Sequence, residues 1–274
     1  MTINCKGRLI DLSTPKIMGI LNVTPNSFFD GGRYNDESEL LTQVGKMISD
    51  GATFIDIGAY SSKPSAEFVS EEEELSRIIP TVRLILKHFP EALLSIDTFR
   101  SEVAKACIQN GASIINDISA GNLDEGMFEV IAEDKVPYIM MHMRGTPQTM
   151  QSMTHYDDIV KEMLFYFSEK INKARSLGIN DLIIDPGFGF AKTMDQNYEV
   201  MRKTELFKQL EVPLLVGISR KSMVYKPLDI SAKEALNGTT VLNTIALTKG
   251  ASILRVHDVK EAVECVQLWN KMNL

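Results

Sequence analysis

Cysteine is scarce in this chain of 274 residues: there are three, Cys5, Cys107 and Cys265, far apart and never in a Cys-x-x-Cys pair. An odd, scattered set excludes a disulfide framework and predicts buried thiols in a reducing compartment. Long apolar runs are also missing, none approaching the ~18 residues needed to cross a bilayer. The start, Met1 to Lys6, lacks the charged-then-apolar layout of a signal peptide. The expectation is a cytoplasmic protein with no membrane partner. Positive charge is in deficit, with 29 Lys+Arg against 36 Asp+Glu and a net charge of −7, and there is no basic block. That argues against nucleic acid as a partner, although the field inside a cleft can oppose the net charge and hold an anion. At 44% apolar and 24% charged residues the chain has ordinary globular composition, which excludes a disordered or collagenous protein.

Several catalytic signatures are missing as well. No Gly-x-Ser-x-Gly elbow occurs. Gly217-Ile218-Ser219-Arg220-Lys221-Ser222 ends like a phosphate-binding loop but lacks its two-glycine spacing, and Asp185-Pro186-Gly187-Phe188-Gly189-Phe190 is glycine-rich without being the dinucleotide fingerprint. His142 and His257 are not spaced as a zinc pair on one element, and His88 reads as a surface residue near a helix end.

What the chain does have is a repeat. Eight short apolar runs recur: Ile17–Leu21, Phe54–Ile57, Leu93–Ile96, Ser113–Ile115, Tyr138–Met141, Leu182–Ile184, Leu214–Ile218 and Ser252–Val256. Each reads as a strand buried on both faces. Segments of helical period lie between them, such as Leu75, Ile78, Ile79, Val82, Ile85, Leu86 and Phe89, in which Pro80 is expected to kink or restart the helix. Gly51, Gly111, Gly178 and Gly250 stand where helices must end and turn back into strands. Strand, helix, glycine, strand, eight times over, predicts an α/β fold, a closed (β/α)8 TIM barrel with residues 1–274 as one domain. Two strand-to-helix connections are long, Val23 to about Asp36 and Gly58 to about Ser70, and long loops at the C-terminal mouth of a barrel mark where function is to be sought.

The first polar residues after the apolar runs are Asn22, Asp56, Asp97, Asn116 with Asp117, His142, Asp185, Ser219 to Ser222 with Lys221, and Arg255 with His257. Any one of these could be a turn former or helix cap. As a set converging on one mouth they would be costly unless something binds them. Asp97, Asn116 and Asp185 offer acceptors to a flat, donor-rich ring. Arg255, His257, Lys221, Lys63 and Asn22 form an opposite half, suited to phosphate oxygens, with Asn22 as one hard oxygen ligand for Mg²⁺. Phe190 is read as a stacking or edge contact for a flat ligand. Met140, at a strand end, is the one methionine of a Met-rich stretch singled out as a contact.

These residues resemble dihydropteroate synthase. Ile20-Leu21-Asn22-Val23-Thr24-Pro25-Asn26-Ser27-Phe28 with Gly31-Gly32 is similar to that family's first signature, and Asp56-Ile57-Gly58 followed by Ser61-Ser62-Lys63-Pro64 to its second loop. Ser95-Ile96-Asp97-Thr98, Ile115-Asn116-Asp117-Ile118, Asp185 to Phe190, Ser219-Arg220-Lys221-Ser222 and Arg255-Val256-His257-Asp258 follow in order, so the resemblance spans essentially the whole chain.

The resemblance implies a folate-pathway transferase, usually a homodimer and a sulfonamide target. The family joins 6-hydroxymethyl-7,8-dihydropterin diphosphate to 4-aminobenzoate with Mg²⁺, by SN1-like loss of diphosphate. It further implies Asp97, Lys221 and Arg255 as catalytic residues. Pterin diphosphate would be held by Ser62, Asp97, Asn116, Met140, Asp185, Phe190, Lys221, Arg255 and His257. Ser62, Lys63, Pro64, Phe190, Lys221 and Ser222 would border 4-aminobenzoate, and Asn22 would bind the metal. Asn26, Tyr60, Ser62, Lys63 and Ser65 depart from the family pattern, all in the two long loops. A non-catalytic or altered pterin-binding paralogue, or a methyltransferase pterin module, stays open at this level.

Overall fold

The computed structural model describes residues 1–23, 33–60 and 69–272, with residues 33–36 as backbone only. A short antiparallel hairpin comes first, β1 (Thr2–Cys5) and β2 (Arg8–Asp11). Its two-residue turn, Lys6-Gly7, has φ of 52° and 85°. Positive φ at both positions is what the twist of a tight hairpin requires.

Eight parallel strands follow, each separated from the next by at least one helix: β3 (Lys16–Asn22), β4 (Phe54–Gly58), β5 (Leu93–Asp97), β6 (Ile114–Asp117), β7 (Tyr138–Met141), β8 (Leu182–Asp185), β9 (Leu215–Val216) and β10 (Ile253–Val256). Neighbours pair in the order β8-β7-β6-β5-β4-β3-β10-β9, and a parallel bridge between Ile184 and Leu214 joins the ends of that row. The protein is a (β/α)8 barrel, as the alternation predicts. The helices around it are α1 (Arg33–Ser49), α2 (Glu71–His88), α3 (Ser101–Gln109), α4 (Met127–Asp134), α5 (Ile159–Ser176), α6 (Met194–Arg202), α7 (Ser222–Tyr225), α8 (Leu236–Thr248) and α9 (Val259–Met272).

Local chemistry fixes the boundaries. Ser70 caps α2 by accepting the Glu73 N–H, with four glutamates in the first turn, where the helix dipole favours negative charge. Thr193 and Gln196 form a reciprocal capping box on α6. Gly111 turns α3 back into β6 at φ 110°, where a Cβ would stand 2.4 Å from the Leu86 side chain. Pro80 neither restarts nor ends α2, which runs unbroken from Glu71 to His88; one missing N–H within an 18-residue helix is outweighed by the buried face of Ile78, Val82 and Ile85. The three cysteines are buried and free.

Strand residues alternate between two environments. Leu21, Ile55, Ile57, Leu94, Ile96, Ile115, Tyr138, Met140, Ile184, Val216, Leu254 and Val256 pack outward against the helices. Met18, Phe54, Leu93, Ile114, Ile139, Ile183, Leu215 and Ile253 point inward and form one apolar layer across the N-terminal end. The hairpin seats Ile3, Cys5, Ile10 and Leu12 on that layer and seals it.

Candidate active site

Side chains two residues apart on a strand share a face. Counting two from the sealing layer along each strand gives Ile20, Asp56, Ser95, Asn116, Met141, Asp185, Gly217 and Arg255. Two more give Asn22, Gly58, Asp97, Ile118, Met143, Gly187, Ser219 and His257. The barrel interior thus turns polar within two steps, at the C-terminal ends of the same strands. A cavity of about 630 Å³ opens there, bordered by Asn22, Tyr60, Asp97, Phe190, Lys221, Ser222, Arg255 and His257 among others.

Arg255 organises its floor. Its Nε donates to Asp56 Oδ2 at 2.6 Å and its Nη2 to Asp97 Oδ2 at 2.6 Å. Asp56 also accepts from the Asn116 amide at 3.1 Å. Burial and the neighbouring carboxylates push Asp97 up, against the pull of Arg255, while Asp56 and Asp97 hold Arg255 firmly protonated. Nη1 makes no hydrogen bond among the described residues, and Arg255 is one of the residues that border the cavity. The acceptor half and the cationic half expected from the sequence are therefore interlocked.

Lys221 forms the second polar centre. Its Nζ donates to the Phe188 carbonyl at 2.6 Å and lies 4.9 Å from the centre of the Phe190 ring. Burial lowers its ammonium to about 8, opposed by the Asp185 charge. Asp185 is itself raised by burial, with Lys221 opposing, and its Oδ1 accepts the Gly187 N–H at 2.7 Å. Desolvation within the cleft, then the Arg255 charge, brings His257 down to about 4, so its imidazole is neutral at physiological pH. Ser219 Oγ lies 3.1 Å from His257 Nδ1. Arg220, held at φ 55° and also on the cavity border, is bound to the Asp258 carboxylate through two contacts of 2.8 Å and ties together the loops that follow β9 and β10.

A model of the pterin-binding enzyme family matches residues 18–257. Dihydropteroate synthase of Escherichia coli K12 is 44% identical over 270 residues, covering 98% of this chain and 95% of that protein. The chain belongs to the dihydropteroate synthase family. A crystal structure of Yersinia pestis dihydropteroate synthase with a sulfonamide drug complex superposes with a TM-score of 0.92 at 40% identity, covering 100% of this chain and 99% of the other. The Xanthomonas albilineans dihydropteroate synthase in complex with 7,8-dihydropteroate gives 0.88 at 34% identity, covering 100% and 99%.

Within this dihydropteroate synthase barrel, the residues expected at the mouth fall into three groups. Asn22, Asp97, Phe190, Lys221, Ser222, Arg255 and His257 border the one cavity, with Asn116 and Asp185 buried on the same inward face directly beneath them. Ser62, Lys63 and Pro64, with Asn26 and Ser65, lie outside the described residues. Three others point elsewhere. Met140 packs in the strand–helix layer, and Met141 takes the inward face beside Ile118 and Phe190; a one-residue offset on a strand exchanges the two faces. Asp117 shares Met140's outward face and accepts from the Tyr138 hydroxyl and from the Ser119 and Gly121 backbone N–H groups, each at 2.7 Å, so it is a turn-forming residue. His142 borders a second cavity of about 610 Å³, with Tyr166 and Arg144. Strict two-step counting from the apolar layer would have separated the inward Met141 from Met140, and the inward Asn116 from Asp117. Lys192, buried behind the segment that follows β8, carries no signal in strand periodicity.

Proposed function

We propose that this chain condenses 6-hydroxymethyl-7,8-dihydropterin diphosphate with 4-aminobenzoate to give 7,8-dihydropteroate and diphosphate. The chain is a transferase of the dihydropteroate synthase family, and the single observation that carries the detailed reading is the meeting of Asp97, Lys221 and Arg255 around one cavity at the C-terminal mouth. Asp97, Asn116 and Asp185 accept hydrogen bonds from the amino and ring N–H groups of the pterin, and Lys221 donates to its acceptor edge. Arg255 offers Nη1 to the diphosphate while its other two nitrogens hold Asp56 and Asp97. His257, neutral, donates or accepts without adding charge.

The reaction follows from that placement. The C–O bond to the pterin methylene breaks with its electron pair leaving on diphosphate, and the carboxylate-rich floor stabilises the resulting cation. The amine of 4-aminobenzoate attacks the methylene carbon and releases a proton to the departing diphosphate or to water. No activated nucleophile is needed. Phe190, Lys221 and Ser222 border the aminobenzoate, with Ser62, Lys63 and Pro64 assigned there on the family resemblance, and Ser62 also to the pterin diphosphate; Met141, in place of Met140, lines the pterin side.

Mg²⁺ bound mainly through diphosphate oxygens and water requires one or two protein oxygens. Asn22, exposed at the end of β3 on the cavity wall, fits that requirement. The ion would supply positive charge to the leaving diphosphate. We further propose a single domain over residues 1–274 and a homodimer, supported by exposed apolar side chains on two neighbouring helices, Val241 and Ile245 of α8 and Leu268 of α9. A cytoplasmic location is part of the same reading; among the described residues no helix is long and apolar enough to cross a membrane.

The test is diphosphate release from pterin diphosphate, with dihydropteroate identified by mass. Release that requires both substrates is the expected result. Tight pterin binding without release identifies a non-catalytic paralogue instead.

A further inference from the structure

Lys192 is 6% exposed and makes no ion pair among the described residues. It does not border the main cavity. A buried ammonium without a carboxylate is costly unless its N–H groups are all used. Here they are: Nζ lies 3.0 Å from the Gly187 carbonyl, 3.0 Å from the Phe190 carbonyl and 3.1 Å from His142 Nδ1, with the His142 carbonyl farther off at 3.5 Å. Three donors meet three close acceptors.

The acceptors explain why a cation is buried at this point. Gly187, at φ 67°, presses the segment onto the end of β7 so closely that a Cβ there would stand 2.3 Å from the His142 carbonyl oxygen. Carbonyls of Gly187, Phe190 and His142 converge on this buried ammonium. The N–H side of the segment is held by Asp185, through Gly187, and by Asn197, through Gly189, both at 2.7 Å. On the carbonyl side, Gly187 also accepts the Phe190 N–H at 3.0 Å, closing a turn within the segment; among the described residues the side chains that reach these carbonyls are two lysines, Lys192 to Gly187 and Phe190 from behind and Lys221 to Phe188 from the cavity.

We propose that Lys192 is a positioning residue for the reaction: its amino group fixes the Gly187–Phe190 segment over β7 and thereby places the Phe188 carbonyl and the Phe190 ring against Lys221. The inference rests on the proposed function for the meaning of Lys221 and Phe190, but the placement itself is independent of it. Burial, with Lys221 and Arg144 adding and Asp185 opposing, brings Lys192 down to about 7. Burial, followed by the charges of Lys192 and Arg144, keeps His142 neutral. A neutral imidazole accepts from the ammonium at Nδ1 or, as the other tautomer, donates to the neutral amine. Both carbonyl ties survive in either state, so the segment keeps its place through neutrality.

The experiment uses the full-length protein and its K192M and K192R variants. Wild-type diphosphate release judges the functional reading alone. Amide hydrogen exchange at residues 187–191 judges the placement, whether or not that reading stands. In K192M these amides exchange at least about tenfold faster while the barrel strands keep their protection. KM for 4-aminobenzoate rises by roughly ten- to a hundredfold, with a smaller change for pterin diphosphate. K192R, which keeps the donors, restores most of the local protection. Unchanged exchange and unchanged aminobenzoate KM in K192M overturn the proposal. So do faster exchange throughout the chain and equal losses for both substrates, which would make Lys192 a general stabiliser. If K192M does not fold, wild-type values of both readouts in Lys192→Gln overturn it equally.

Discussion

The two ends of the barrel are built by the same strands and the same inward face, yet they have opposite chemistry. At the N-terminal end the face is Met18, Phe54, Leu93, Ile114, Ile139, Ile183, Leu215 and Ile253, covered by the hairpin. Two residues further along, β4, β6, β8 and β10 present Asp56, Asn116, Asp185 and Arg255. The lower end gains from removing apolar surface from water, about 1.5–3 kcal/mol for each large side chain. The upper end gains nothing of the kind, because burying charge is unfavourable and mutual pairing only offsets it. Arg255 between Asp56 and Asp97, and Lys221 near Asp185, are that offset. One end supplies stability, and the other holds polar groups in place for a ligand at a cost the first end covers.

Removing the hinge of the polar end gives the largest expected effect. Arg255→Met leaves fully buried Asp56 with Asn116 as its one remaining side-chain donor among the described residues, which costs about 3–5 kcal/mol in urea unfolding. It also lowers turnover by roughly a hundredfold or more. Because Asp97 loses its partner too, binding of the bare pterin alcohol weakens along with that of the diphosphate; a loss confined to the diphosphate would break the picture of an interlocked floor. At the closed end, Phe54→Ala costs a similar ~3–5 kcal/mol by leaving a cavity, but the folded variant keeps both KM values. A changed KM would show that the ends are not separable. Asp185→Asn is smaller: the amide oxygen can still accept the Gly187 N–H, but calorimetry should show pterin binding weakened by about 1–3 kcal/mol, with little change in unfolding. The last effect is a slope with pH and not a fixed loss. Lys192 has an ordinary value of 10.5 and is held at about 7 by burial, so between those limits the unfolded chain binds the extra proton. Stability of the wild type relative to K192M therefore rises as pH goes from about 7 towards 10.5 and is lost again on the way down; urea midpoints at the two ends of that window check the sign.

The contrast between the ends was only half visible in the sequence. The eight apolar runs and the returning glycines prescribed the barrel because each strand is buried on both faces and each helix must turn back within a few residues. The polar residues at the strand ends located the mouth, and Asn22, Asp97, Lys221, Phe190, Ser222, Arg255 and His257 do border one cavity. Runs that are apolar throughout do not reveal which residue faces in, and this is why Met140 stood in for Met141 and why Asp117 was grouped with Asn116. The hairpin was missed because its strands have four residues each and its apolar members, Ile3, Cys5, Ile10 and Leu12, alternate with exposed ones. The pairing of Arg255 with Asp56, 199 positions away, is set by barrel closure and no local pattern encodes it.

Residues 2–12 lie on a floor to which β3 contributes Met18 and β10 contributes Ile253. The hairpin is made before the barrel strands, but its seat is not complete until the eighth of them has been added. It must wait with Ile3, Ile10 and Leu12 unshielded while more than two hundred further residues are added, at a pace of ~5–20 residues per second. The early-made hairpin is thus among the last pieces to be seated, because a fragment stopped short of Ile253 lacks part of the apolar layer that covers Ile3, Cys5, Ile10 and Leu12.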